Sequence, residues 1–87
     1  MKKNLKYVNG QILSEQKGLF THSYFENGAI KEVGIIENGL AVGKWKYYRK
    51  SGKLWQTGSF DAGVKIGLWE RYNSKGEITF SKNLDKR

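Results

Sequence analysis

The residues best suited to chemistry lie in one stretch, where Tyr47, Tyr48 and Trp55 are interleaved with Lys44, Lys46, Arg49, Lys50 and Lys53 and no acid intervenes. Rings set among cations can stack bases while the ammonium and guanidinium groups neutralise phosphates, the arrangement used to bind single strands or an anionic surface. Other chemistries find fewer residues. His22, the only histidine, stands in the run Thr21-His22-Ser23. A general base needs a carboxylate or nucleophile held beside it, and no identifiable spacing supplies one. An exposed place on a strand is expected for it. The carboxylates Glu26, Glu32, Glu37, Asp61, Glu70 and Glu77 fall near turns or on alternating polar positions, without metal-ligand spacing. With no cysteine there is no disulfide, thiolate nucleophile or Cys-ligated zinc. No catalytic residue, metal or cofactor is therefore expected, and no enzymatic activity.

The elements that position these residues are read from a repeat. Gly28, Gly52 and Gly76 are each 24 residues apart, and Gly34 to Gly58, Gly39 to Gly63 and Gly43 to Gly67 keep the same spacing. Apolar columns follow: Ile30, Leu54 and Ile78; Ile36, Phe60 and Leu84; Tyr24, Tyr48 and Tyr72; Trp45 and Trp69. Gly10 and Ile12 precede Gly34 and Ile36 by the same 24, which reads residues 1–17 as a half repeat before units 18–42, 43–66 and 67–87. Each unit reads as a β-hairpin, because aromatic and β-branched runs flank Asn27-Gly28, Ser51-Gly52 and Lys75-Gly76. Strands are predicted near 19–26, 29–37, 44–50, 53–60, 68–73 and 77–82, with a further pairing segment before residue 18. Gly39–Gly43 and Gly63–Gly67 are expected to connect the units. Short turns pair neighbours, so the fold class is all-β: a single antiparallel meander of about six strands built from 24-residue hairpin repeats. Alternation sets Trp45 and Tyr47 on one face, Lys46 and Tyr48 on the other, and Leu54, Gln56, Gly58 and Phe60 together. A glycine among large residues lets a neighbouring ring lie flat on the backbone.

At 87 residues the chain is the size of one small domain, which must draw its stability from few large side chains. Its net charge of +8 favours acidic partners or polyanions. The charge is uneven: residues 1–17, 18–42, 43–66 and 67–87 carry +3, −2, +5 and +2. No apolar stretch approaches the ~20 residues of a transmembrane helix, and the basic start Met1–Gly10 has no apolar run after it, so a cytoplasmic protein is expected.

The run Gly43-Lys44-Trp45-Lys46-Tyr47-Tyr48, followed by Ser51-Gly52-Lys53-Leu54, Gly58-Ser59-Phe60, Gly63 and Gly67-Leu68-Trp69-Glu70-Arg71-Tyr72, resembles the MORN-variant repeat. Tyr24–Gly34 is similar to that family's opening unit. The resemblance covers about residues 19–82, with Thr21 in place of the first Trp and Lys82 in place of the third glycine. It implies a bacterial, non-catalytic interaction module: an antitoxin-like component of a toxin–antitoxin system, a scaffold, or a binder of acidic lipids.

Tyr47 and Trp55 break the repeat towards aromatic where their siblings are polar, so they are the candidate contact residues, with Lys44, Lys46, Arg49, Lys50 and Lys53 around them. Two functions compete. In one, a sheet face or open edge binds a protein, either a toxin or a second copy of the chain. In the other, segment 44–55 binds nucleic acid or anionic lipid, with affinity falling steeply in salt. Lysine outnumbers arginine 13 to 3, which disfavours the reading of bases by arginine forks.

Overall fold

Two kinds of turn alternate along the chain and build the sheet between them. At one end Gly10, Gly28, Gly52 and Gly76 each donate their N–H to the carbonyl three residues earlier, at 2.8–3.0 Å. Each has a φ between +85° and +94°, which only glycine adopts without strain. The Asn9, Asn27 and Asn73 side chains accept backbone N–H groups within these turns. At the other end lie the two-residue turns Asn38-Gly39 and Ala62-Gly63, left-handed at both positions. Asn tolerates that region, whereas Ala62, at φ 47°, places its Cβ against the carbonyl that follows. Ala62→Asn, which copies Asn38, is therefore expected to stabilise the fold by about 0.5–1 kcal/mol. A higher urea midpoint with an unchanged slope checks it.

In the computed structural model, which describes residues 5–85, these turns link seven strands: β1 (Ser14–Lys17), β2 (Phe20–Tyr24), β3 (Ile30–Glu37), β4 (Leu40–Tyr48), β5 (Leu54–Asp61), β6 (Val64–Tyr72) and β7 (Ile78–Asn83). Every strand pairs antiparallel with its sequence neighbours, in the order β1 to β7. The protein is an all-β meander, with one strand more than the six expected: β1 is the pairing segment before residue 18. Gly39–Gly43 and Gly63–Gly67 do not connect hairpins, because β4 and β6 run through most of them and the chain reverses at Asn38-Gly39 and Ala62-Gly63. Gly10 belongs with the turn glycines, 18 residues before Gly28, rather than with Gly34. The segment before β1 forms a hairpin of its own, with Lys6 paired to Ile12. The basic start at Met1–Asn4 and the terminal Lys86-Arg87 lie outside the described residues.

Bulges decide which side chains share a face. Opposite Tyr47 and Tyr48 the register slips from Gln56 to Leu54, leaving Trp55 as the extra residue. The same slip leaves out Lys31 and Thr79, at the same place in their units. Strict alternation thus fails at Trp55, and Leu54 moves to the face of Tyr48, away from Gln56. Larger bulges set Gly43-Lys44-Trp45 against Gly34 and Gly67-Leu68-Trp69 against Gly58.

The core follows from those larger bulges. Trp45 and Trp69, only 5% and 6% exposed, lie flat over Gly34 and Gly58, where any Cβ would fall inside the indole. Each indole N–H donates to a carbonyl of its own bulge, Trp45 to Val42 at 3.2 Å and Trp69 to Ile66 at 3.0 Å. Thr21, Gly34, Trp45, Gly58, Trp69 and Lys82 form one row across the sheet, with tryptophan and bare backbone alternating at its centre. Phe60 meets both tryptophans edge-on, with centroids at 6.1 and 5.2 Å. Such pairs contribute about 0.5–1.5 kcal/mol each beyond their buried area.

Candidate functional site

The antiparallel register sends neighbours in sequence to opposite faces, so the basic segment does not form one surface. Lys44 and Lys46 pair with Ser59 and Thr57 and stand exposed on the face away from the tryptophans. Arg49, Lys50 and Lys53 lie in the turn between β4 and β5. There Arg49 Nη2 donates to the Tyr72 carbonyl at 2.9 Å and Lys53 Nζ to that of Ser74 at 3.0 Å, tying this turn to the next. Asn27 makes the equivalent bond from the preceding turn to the Lys50 carbonyl, at 3.1 Å.

Tyr47 and Trp55 are both half-buried. Tyr47 packs between Trp45 and Trp69, with centroids at 6.5 and 6.2 Å. Burial, with Glu32 opposite, pushes its phenol up to about 12. The Trp55 ring carries two guanidiniums, Arg49 at 5.8 Å and Arg71 at 5.6 Å from its centroid. Phe25 and Lys31, one period earlier, make the same contact with ring and cation exchanged, at 5.9 Å. The departure of Trp55 from the repeat is thus matched by Arg49, which stands where Phe25 does.

His22 is not exposed as expected: it is half-buried, and its Nδ1 is enclosed without a hydrogen-bond partner among the described residues. On the same face, Tyr24 donates its hydroxyl to Glu15 at 2.6 Å. This bond holds the Glu15 carboxyl below the usual carboxylate range and, with burial, raises the Tyr24 phenol to about 12. Among the described residues no cluster of His, Cys, Asp or Glu is placed to hold a metal ion.

The concave feature lies elsewhere, on the tryptophan face over β5, β6 and β7. A cavity of about 210 Å³ is lined by Gln56, Lys65, Trp69, Glu70, Arg71, Phe80, Lys82 and Leu84, three cations against one carboxylate. Cross-strand pairing makes it: Gln56 faces Arg71, Arg71 faces Phe80, and Trp69 faces Lys82. Arg71 Nε donates to Gln56 Oε1 at 2.9 Å, and its guanidinium lies 5.2 Å from the Phe80 ring centre, so the fork is held between Trp55 and Phe80. Lys65 sits 4.8 Å from the Trp69 ring centre. Contacts of this kind are worth about 0.5–1 kcal/mol at a surface. Among the described residues the one ion pair is Lys17 with Glu15, so Lys65, Arg71 and Lys82 meet no carboxylate within 4.0 Å. The result is an electropositive groove with an aromatic floor.

None of the candidate contact residues named from the sequence lines this groove; Trp55 and Arg49 border on it only through the contact of Trp55 with Arg71, and Lys65, Arg71, Phe80 and Lys82 were not singled out. Two features set the pairing of β5 with β6: the turn at Ala62-Gly63, whose register alone would place Trp69 opposite Gln56, and the bulge at Gly67-Leu68-Trp69, which shifts it by two residues and brings Arg71 there. Compared with protein-family models, with curated proteins and with solved structures, the chain matches none. Among the described residues no helix is long and apolar enough to cross a membrane.

Proposed function

We propose that the protein is a non-catalytic interaction module that binds a protein partner through the groove over β5–β7. The supporting observation is the groove itself: Lys65, Arg71 and Lys82, unpaired by acids, surround Trp69 and Phe80 beside an edge strand whose every residue is exposed. An aromatic floor provides contact area, and a cationic rim selects an acidic partner. The 24-residue repeat resembles the MORN-variant family in sequence, and under that reading a cytoplasmic toxin is the first partner to try. Binding of nucleic acid or anionic lipid through segment 44–55 has less support, because Lys44 and Lys46 stand on the face opposite Trp55 and Tyr47.

The test is capture from the native cell extract by the wild-type protein and by the Lys65→Glu/Lys82→Glu variant, with retained proteins identified by mass. A protein held by the first and lost by the second is the expected result. Identical sets of retained proteins would overturn the assignment of the groove. Retention that survives nuclease and lipid extraction separates a protein partner from a polyanion.

A further inference from the structure

The edge of β7 narrows what the partner presents. Leu84 donates its N–H to the Gly67 carbonyl at 2.8 Å, so by antiparallel alternation the backbone groups of Lys82 and Phe80 point inward to β6. Those of Ser81 and Asn83 point outward. The repeat gives the same answer, since Thr57 and Ser59, 24 residues earlier, pair outward with Glu70 and Ile66 of β6. Among the described residues no further strand lies beyond Ser81 and Asn83. β7 therefore offers N–H donors and C=O acceptors in alternation at strand spacing, which the backbone of another extended peptide matches group for group. A phosphodiester chain accepts hydrogen bonds without donating them, so it would leave the two carbonyls unmet.

The side chains set the character of that peptide. Ile78–Asn83 contains no acid, and Lys82 faces into the groove beside Lys65 and Arg71. Lys82 also occupies the place where Gly34 and Gly58 receive a tryptophan, so an incoming strand cannot lay a ring flat on the backbone there. A carboxylate opposite Lys82 is the favoured cross-strand pair. We propose that the partner supplies an extended acidic segment, which pairs with the outer edge of β7 as an eighth strand and lays its carboxylates on Lys65, Arg71 and Lys82. This rests on the reading that the groove is the partner-binding surface, and it names the partner's chemistry and mode of docking.

The probe is a fluorescein-labelled synthetic peptide of alternating Glu and Val, about seven residues long to match the strand, followed by fluorescence anisotropy at low salt. Saturable binding is expected to the wild-type protein, falling with added salt. Ser81→Pro removes one outward N–H and none of the bonds to β6, a position where an edge strand accepts proline. It is expected to weaken binding at least tenfold with an unchanged melting temperature. Methylating alternate amide nitrogens of the peptide makes the same test without altering the protein, and an equal loss is expected.

The Lys65→Glu/Lys82→Glu variant is also expected to lose at least tenfold, and a peptide of alternating Lys and Val to show no binding. If Ser81→Pro and the methylated peptide both bind as the wild-type pair does while the charge reversal abolishes binding, strand pairing is overturned and the groove reading stands. If the charge reversal changes nothing, the groove reading falls with it. Tighter binding of oligothymidylate of equal charge would overturn the choice of a peptide.

Discussion

Gly58→Ala is expected to cost about 3 kcal/mol or more, although it adds only one methyl group on the middle of a strand. The cause is space alone. Gly58 has no positive φ, but an added Cβ would fall inside the indole of Trp69, which is 6% exposed and enclosed by Tyr47 and Phe60. A well-packed ring cannot withdraw without breaking those contacts and the bond from its N–H to the Ile66 carbonyl. Gly52→Ala is the informative contrast. Its Cβ would meet nothing within 4 Å, and its penalty arises only from a φ of +94°, about 1 kcal/mol. Urea unfolding of the two variants checks the order, and equal losses would refute the account of Gly58.

The second large effect is Trp69→Ala, expected to lose about 3–5 kcal/mol, as removal of a buried tryptophan does. Stability for a chain of this length is on the order of 4–13 kcal/mol, so the variant sits near the limit of folding. Sulfate, which strengthens burial, keeps the comparison measurable. The two substitutions should not add. With the ring gone, the atoms nearest a methyl at position 58 go with it, and alanine suits a strand better than glycine does. In the Trp69→Ala background, Gly58→Ala is expected to cost less than about 1 kcal/mol. A double-mutant cycle measures this, and strict additivity would mean that the Cβ clash is not the source of the first effect.

The hairpins, the meander and both tryptophans of the core could be read from the chain because glycine and tryptophan each recur at the point where geometry demands them. Gly28, Gly52 and Gly76 need one backbone conformation; Gly34 and Gly58 need bare backbone. The bulges could not be read in that way. Trp55 and its siblings Lys31 and Thr79 have no residue type in common, since a bulge of this kind constrains the partner register more than the side chain. One unrecognised bulge was enough to place Leu54 on the wrong face. The groove was hidden for a different reason. Lys65, Arg71, Phe80 and Lys82 are spread over 18 positions and meet through the pairing of three strands, whereas the conspicuous cations of 44–53 are dispersed by that same pairing.

The row from Thr21 to Lys82 also governs how such a sheet changes length. Each internal unit brings a tryptophan to the unit before it and a bare glycine to the unit after it, while Thr21 brings no ring and Lys82 leaves no bare backbone. A unit appended at either end could pair its backbone but would find no tryptophan-on-glycine contact to complete. A 24-residue unit duplicated between Val42 and Gly43 would find both halves of the contact ready and leave both ends unchanged. A sheet of this design is therefore expected to accept added length in its interior, with its two terminal strands unaltered.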